Sequence, residues 1–227
     1  MAASAADEGV ALPDPLWVFG YASLVWKPVE PHAEAKFGYI NGFARRFWQR
    51  SPDHRGVPEK PGMVATLVPA EQEAASDSEP ARVYGMAYRI DASDVADVLA
   101  KLDHREKAGY SRSVAPFFTV TAEEADGGCS KGETINCLLY YANESNPYFA
   151  PNITDEEVAE IIVSSTGPSG TNREYLFALG RFLRQKGIDD EHVANLEALV
   201  RSLAYKRRFE TGDVEEAMKT LPHSDEI

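Results

Sequence analysis

Strand-patterned segments dominate this chain up to Asn143, and helix-patterned segments dominate after it. A doubly wound parallel sheet needs a helix after nearly every strand, so this order points to an α+β fold. Trp17–Tyr21 is a short apolar strand. The stretch from Phe37 to Trp48 reads as one further strand. Met63–Val68 and Val83–Ile90 are rich in Val, Tyr and Met, and Ser111–Thr121 and Ile135–Ala142 complete the set. One early helix opens at Asp91-Ala92-Ser93-Asp94, with Val95, Val98, Leu99 and Leu102 at helical spacing.

After Asn143 the period changes. Thr154 with Glu157 three residues on forms a capping-box pattern, and Val158, Ile161 and Ile162 supply a buried face. Gly167-Pro168-Ser169-Gly170 breaks that helix. A second follows through Tyr175, Leu176, Leu179, Phe182 and Leu183, and a third from about Asp190 to Phe209. There is no internal repeat and no linker-like stretch, so a single domain over residues 16–210 is expected. Residues 1–15 and 211–227 read as flexible or peripheral tails, Glu71–Ala81 as a solvated acidic loop, and Glu123–Glu133 as a hairpin insertion.

The formal net charge is −13. Nucleic acid and anionic membrane surfaces call for basic patches, so neither is an expected partner. No run of 18 or more apolar residues is present to span a membrane. The first residues lack the basic and long apolar regions of a secretory signal. The only two cysteines, Cys129 and Cys137, make no disulfide framework for 227 residues. A cytoplasmic location is therefore expected, with the oligomeric state open between monomer and weak dimer.

Chemistry-bearing residues concentrate in a few places. In Leu102-Asp103-His104-Arg105-Glu106-Lys107-Ala108-Gly109-Tyr110 the helix is expected to stop at Gly109. Glu106 is then either a base facing a cleft or a solvated helix-end charge. A Glu is ionised at neutral pH and accepts a proton without tuning. Phe19-Gly20-Tyr21-Ala22-Ser23-Leu24 runs a strand into a turn. It is either an ordinary junction or a concave set of backbone N–H donors for an anion. Arg45-Arg46 beside Phe47 and Trp48 suits a bidentate grip on a carboxylate, or a salt bridge to the acidic surface. Tyr140 and Tyr141 face opposite sides of one strand, so one of them points inward. The five histidines and two cysteines show no metal-ligand spacing. There is no Gly-x-Ser-x-Gly elbow and no phosphate-binding Gly-rich loop.

The motifs taken together resemble the ChaC family of glutathione-specific γ-glutamylcyclotransferases. Phe19-Gly20-Tyr21-Ala22-Ser23-Leu24-Val25-Trp26-Lys27-Pro28 is similar to its Phe-Gly-Tyr-Gly-Ser-Leu-Ile-Trp-Lys/Asn-Pro signature. Arg45–Gln49, Asp53–Pro58, Pro61–Leu67, Leu102–Tyr110 and Gly167–Leu176 match further family segments in order, so the likeness spans about residues 16–205. The resemblance implies a mixed barrel-like sheet with helices around it. It implies cleavage of glutathione to 5-oxoproline and cysteinylglycine, with no metal, nucleotide or other cofactor. It maps the catalytic acid to Glu106 and the γ-glutamyl-binding loop to Tyr21–Leu24, with Phe19, Gly20, Arg45 and Tyr141 as further expected contacts. Other readings of the same fold are a cyclotransferase for other γ-glutamyl amino acids or amines, and a non-catalytic binding protein. The chain departs from the family at two positions. Ala22 replaces a Gly, where a positive φ would be costly for a residue with a Cβ. Met63 replaces an Arg, whose contacts with substrate, if any, would have no counterpart here.

Overall fold

The computed structural model describes residues 10–70, 81–105, 109–120 and 132–211. Glu106, Cys129, the acidic 71–80 loop and most of the expected hairpin insertion lie outside the described residues, as do 1–9 and 212–227. Among the described residues no helix is long and apolar enough to cross a membrane.

Seven strands of four to nine residues carry the first part of the chain: β1 (Trp17–Gly20), β2 (Glu34–Asn41), β3 (Phe43–Ser51), β4 (Gly62–Pro69), β5 (Arg82–Arg89), β6 (Ser111–Thr119) and β7 (Thr134–Tyr141). A short 3-10 turn, Ser23–Val25, follows β1, and helix α1 (Val95–Arg105) lies between β5 and β6. Then come α2 (Asp155–Ser164), a two-residue hairpin β8 (Thr166–Gly167) and β9 (Gly170–Thr171), α3 (Asn172–Gln185) and α4 (Glu191–Thr211). The expected single strand from Phe37 to Trp48 is in fact two. Gly42 has φ +79, a conformation that costs glycine little, and it turns β2 into β3. The β-favouring pattern on both sides hides a one-residue break.

Five strands close a barrel in the order β1-β5-β2-β6-β7. Closure depends on β1, which pairs antiparallel with β5 and parallel with β7, at Val18 and Leu138. Period-2 alternation then decides what each face does. Trp17, Phe19, Ile40, Val83, Ala87, Phe117, Ile135, Cys137 and Leu139 fill the barrel interior. Val18, Tyr88, Leu138 and Tyr140 point outward and pack under Val98 and Leu102 of α1.

The remaining strands, β3 and β4, form their own antiparallel ribbon with a register shift between Arg46 and Gln49. One face of this ribbon meets the helices. Phe47, Met63 and Ala65 pack with Val158 and Ile162 of α2, Leu176 and Leu179 of α3, and Leu196 and Val200 of α4. Burying each such side chain fully contributes about 1.5–3 kcal/mol. Both α2 and α3 begin with a complete capping box, Thr154 with Glu157 and Thr171 with Glu174. Asn172 ties the two layers together. Its Oδ1 accepts from Met63 N at 2.6 Å and its Nδ2 donates to Met63 O at 2.7 Å, all buried.

Candidate active site

A cleft of about 210 Å³ opens where β1 leaves the barrel and meets the ribbon and helices. Its first wall is the end of β1 with the turn that follows: Phe19, Tyr21, Ala22, Ser23, Leu24 and Lys27. The opposite wall is the end of β3 and its loop, from Arg50 and Ser51 to Asp53, His54 and Arg55. Val64 and Ala65 of β4, Ser169 of the β8–β9 hairpin and Tyr175 of α3 form the floor, and Tyr110 and Tyr140 close the side toward α1.

The turn is held from behind. Its own bonds run from Val25 N to Ala22 O and from Trp26 N and Lys27 N to Ser23 O. Gly20 is needed for this geometry, because a Cβ there would lie 2.5 Å from Leu24 Cβ. Ala22 has φ −124, so no positive φ is required and the Cβ absent from the family's usual Gly is accommodated. Tyr88 Oη donates to Leu24 O at 2.7 Å, and burial pushes the Tyr88 phenol up to about 12. The Trp26 indole meets the Tyr175 ring edge-on at 5.3 Å. Tyr21 Oη donates to Tyr140 O at 2.8 Å, which fastens the turn to β7.

Arg45, expected as a carboxylate grip, does not line the cleft. It is buried, with Nε on Tyr21 O at 3.1 Å, Nη2 on Tyr84 O at 2.5 Å and Nη1 on Asp190 Oδ2 at 2.5 Å. Nor does Tyr141 line it. Tyr141 shares the interior parity of Cys137 and Leu139, whereas Tyr140 reaches the cleft. The strand alternation puts the pair on opposite faces, and on β7 it is the outward-facing Tyr140 that reaches the cleft. Tyr140 Oη donates to Asp103 Oδ1 at 2.9 Å. Burial first, and the bond to Asp103 second, raise the Tyr140 phenol, so at neutral pH it is a donor and not a base. Asp103 also pairs with Arg112.

Sequence reasoning did not select Lys27, His54, Arg55, Tyr110, Ser169 or Tyr175. For His54, Arg55 and Ser169 the signal lay in Asp53–Pro58 and Gly167–Gly170, Gly- and Pro-bounded loops outside every periodic segment. Arg55 donates to Thr171 O at 3.0 Å, sits 3.7 Å from Glu174 and lies over the Tyr175 ring at 5.7 Å. Burial lowers its pKa, but a guanidinium remains charged. His54 Nδ1 is 3.4 Å from Ser169 Oγ. Cys137 is fully buried and its thiol is pushed up to about 12, which removes it as a nucleophile. Met63 is fully buried under the helices and does not line the cleft.

A family model described as ChaC-like protein matches residues 16–203. The chain belongs to the ChaC-like family. A glutathione-specific gamma-glutamylcyclotransferase of Schizosaccharomyces pombe is 39% identical over 201 residues, covering 85% of this chain and 96% of that protein. Gamma-glutamylcyclotransferase 2-3 of Arabidopsis thaliana is 38% identical over 193 residues, 83% of this chain and 89% of its own length. The crystal structure of the yeast γ-glutamyl cyclotransferase specific to glutathione superposes with a TM-score of 0.74 at 32% identity, over 82% of this chain and 96% of that one. The barrel with its helical layer is thus the ChaC-like fold, an α+β architecture.

Proposed function

We propose that this chain cyclises the γ-glutamyl unit of glutathione, releasing 5-oxoproline and cysteinylglycine, within one domain over residues 16–210. The observation that carries this reading is the cleft itself. In a chain of net charge −13, it gathers Lys27, Arg50 and Arg55 against a single lining carboxylate, Asp53, among the described residues. Glutathione is a small dicarboxylate, which is the kind of ligand such a cleft attracts. The S. pombe and yeast relatives carry glutathione in their names, which supports the same substrate.

The chemistry is intramolecular. The substrate's α-ammonium loses a proton, and the amine attacks the γ-carbonyl and closes a five-membered lactam. The bond between the γ-carbon and the cysteinyl nitrogen then breaks; the ring nitrogen gives up a second proton, and the leaving nitrogen takes up two in all and departs as an ammonium. Most of the acceleration in such a ring closure comes from holding the folded conformer, so a walled cleft is the main requirement. Glu106 is the proposed general acid–base, taking the first proton and returning it to the leaving amine. Described residues on either side of it in sequence support this. Asp103 holds Tyr140 Oη, and Tyr110 lines the cleft. The Tyr21–Leu24 turn is proposed to receive the γ-glutamyl unit and the oxyanion that forms on its carbonyl.

The decisive assay incubates the purified protein with glutathione and, separately, with γ-glutamyl-alanine, reading 5-oxoproline. Turnover of glutathione with little of γ-glutamyl-alanine is expected, and the reverse preference would overturn the substrate assignment. Activity is also expected to survive excess EDTA. Among the described residues no three His, Cys, Asp or Glu stand close enough to hold a metal ion. Inactivation by chelation, reversed by one added divalent ion, would contradict that expectation.

A further inference from the structure

We propose that Arg45 and Asp190 form a positioning clamp that aims a backbone donor of the cleft turn at the substrate. The inference rests on the functional reading above and deepens it. Arg45 is almost wholly enclosed, with 2% of its side chain exposed, and it faces a groove behind the cleft together with Tyr84, Asp190 and His192. From there its Nε holds Tyr21 O at 3.1 Å. The Tyr21–Ala22 peptide is trans, since among the described residues the only cis bonds precede Pro15 and Pro31. In a planar trans peptide the C=O and N–H point in opposite directions. Drawing Tyr21 O back toward Arg45 therefore turns Ala22 N–H forward, and Ala22 lines the cleft.

Arg45 cannot swing, because its other two arms are taken by Tyr84 O on β5 and by Asp190. Asp190 is fixed in turn by the helix it begins. Its Oδ1 accepts from Val193 N at 3.1 Å and its carbonyl from Ala194 N at 2.9 Å, while Oδ2 is left for Arg45. The start of α4, 169 residues beyond Tyr21 in sequence, thus sets the plane of one peptide on the cleft wall. Arg45 and Asp190 touch no substrate in this arrangement. They act through Tyr21 and Ala22.

Asp190→Asn tests this without dismantling α4. Asn retains a side-chain acceptor for Val193 N–H, so the helix cap is kept, but it presents no charge to Arg45. A mis-aimed donor is expected to raise KM for glutathione about tenfold, with kcat within about threefold. The melting temperature is expected to fall, because the enclosed Arg45 loses its counter-charge, so the kinetics are read at a temperature where circular dichroism shows the variant folded. Arg45→Lys keeps the charge but offers one ammonium where three acceptors need reaching, and the same rise in KM is expected. Glu191→Gln removes a charge from the same helix end without touching Arg45, and its KM is expected to match the parent's. A KM for Asp190→Asn within about twofold of the parent would overturn the clamp while leaving the functional reading intact, as would an equal rise in Glu191→Gln, which a merely electrostatic effect would give. A fall in kcat at unchanged KM, the mark of lost folded protein, would also overturn it. A parent protein that makes no 5-oxoproline would overturn both readings.

Discussion

Replacing Glu106 by Gln is expected to lower kcat for glutathione by about 10²- to 10⁴-fold, the usual worth of a positioned proton transfer. Gln keeps the size and hydrogen-bonding capacity of Glu but cannot accept the α-ammonium proton. KM is expected to stay near the parent's, because the γ-glutamyl contacts are proposed to come from the turn after β1. Asp103 is the internal control. It anchors Tyr140 Oη and pairs with Arg112, with 44% of its side chain exposed. Asp103→Asn preserves an acceptor for Tyr140 and loses only the ion pair, so its kcat is expected to fall by no more than a few-fold. The measurement is kcat for both variants, with circular dichroism to confirm folding. An active Glu106→Gln beside a dead Asp103→Asn would move the acid–base role to Asp103.

The largest expected loss of stability follows from Asn172→Ala. Asn172 is fully buried, and its side chain satisfies both backbone groups of Met63. Alanine leaves a buried N–H and a buried C=O unpaired, and each such orphan costs about 1–3 kcal/mol. A destabilisation of about 3 kcal/mol is expected, which for a domain of this size lowers the melting temperature by about 6–12 °C. Denaturant unfolding monitored by circular dichroism measures it. A loss below about 1 kcal/mol would mean that the ribbon and α3 are held by apolar packing alone.

What each candidate residue turned out to do depended on how far its partners lie along the chain. The turn at Tyr21–Leu24 was visible as a strand running into a break, and all of Tyr21, Ala22, Ser23 and Leu24 line the cleft. Arg45 was visible as a cation beside aromatics, but its function was not. Its partners Tyr21, Tyr84 and Asp190 lie 24, 39 and 145 residues away, and no local pattern encodes such pairings. Strand alternation alone places Tyr140 and Tyr141 on opposite sides of β7. Choosing between them required knowing that Tyr141 packs with the interior residues Cys137 and Leu139, while Tyr140 stands beside the end of β1 and its turn and lines the cleft.

The sequence by itself determined the elements and most of their ends, because those depend on neighbours within a turn or two. Helical spacing gave α1, Thr154 with Glu157 gave the start of α2, and alternation gave the strands, apart from the unmarked turn at Gly42. It also carried the family motifs, and with them the order of the segments that line the cleft. Only the tertiary structure decided that β1 closes the barrel between β5 and β7, that β3 and β4 stand apart under the helices, and that α4 reaches back to the turn after β1. Those choices rest on burial and hydrogen bonding between segments distant in the chain. Such terms take their value only once the chain has folded and the polar groups of the interior must find partners.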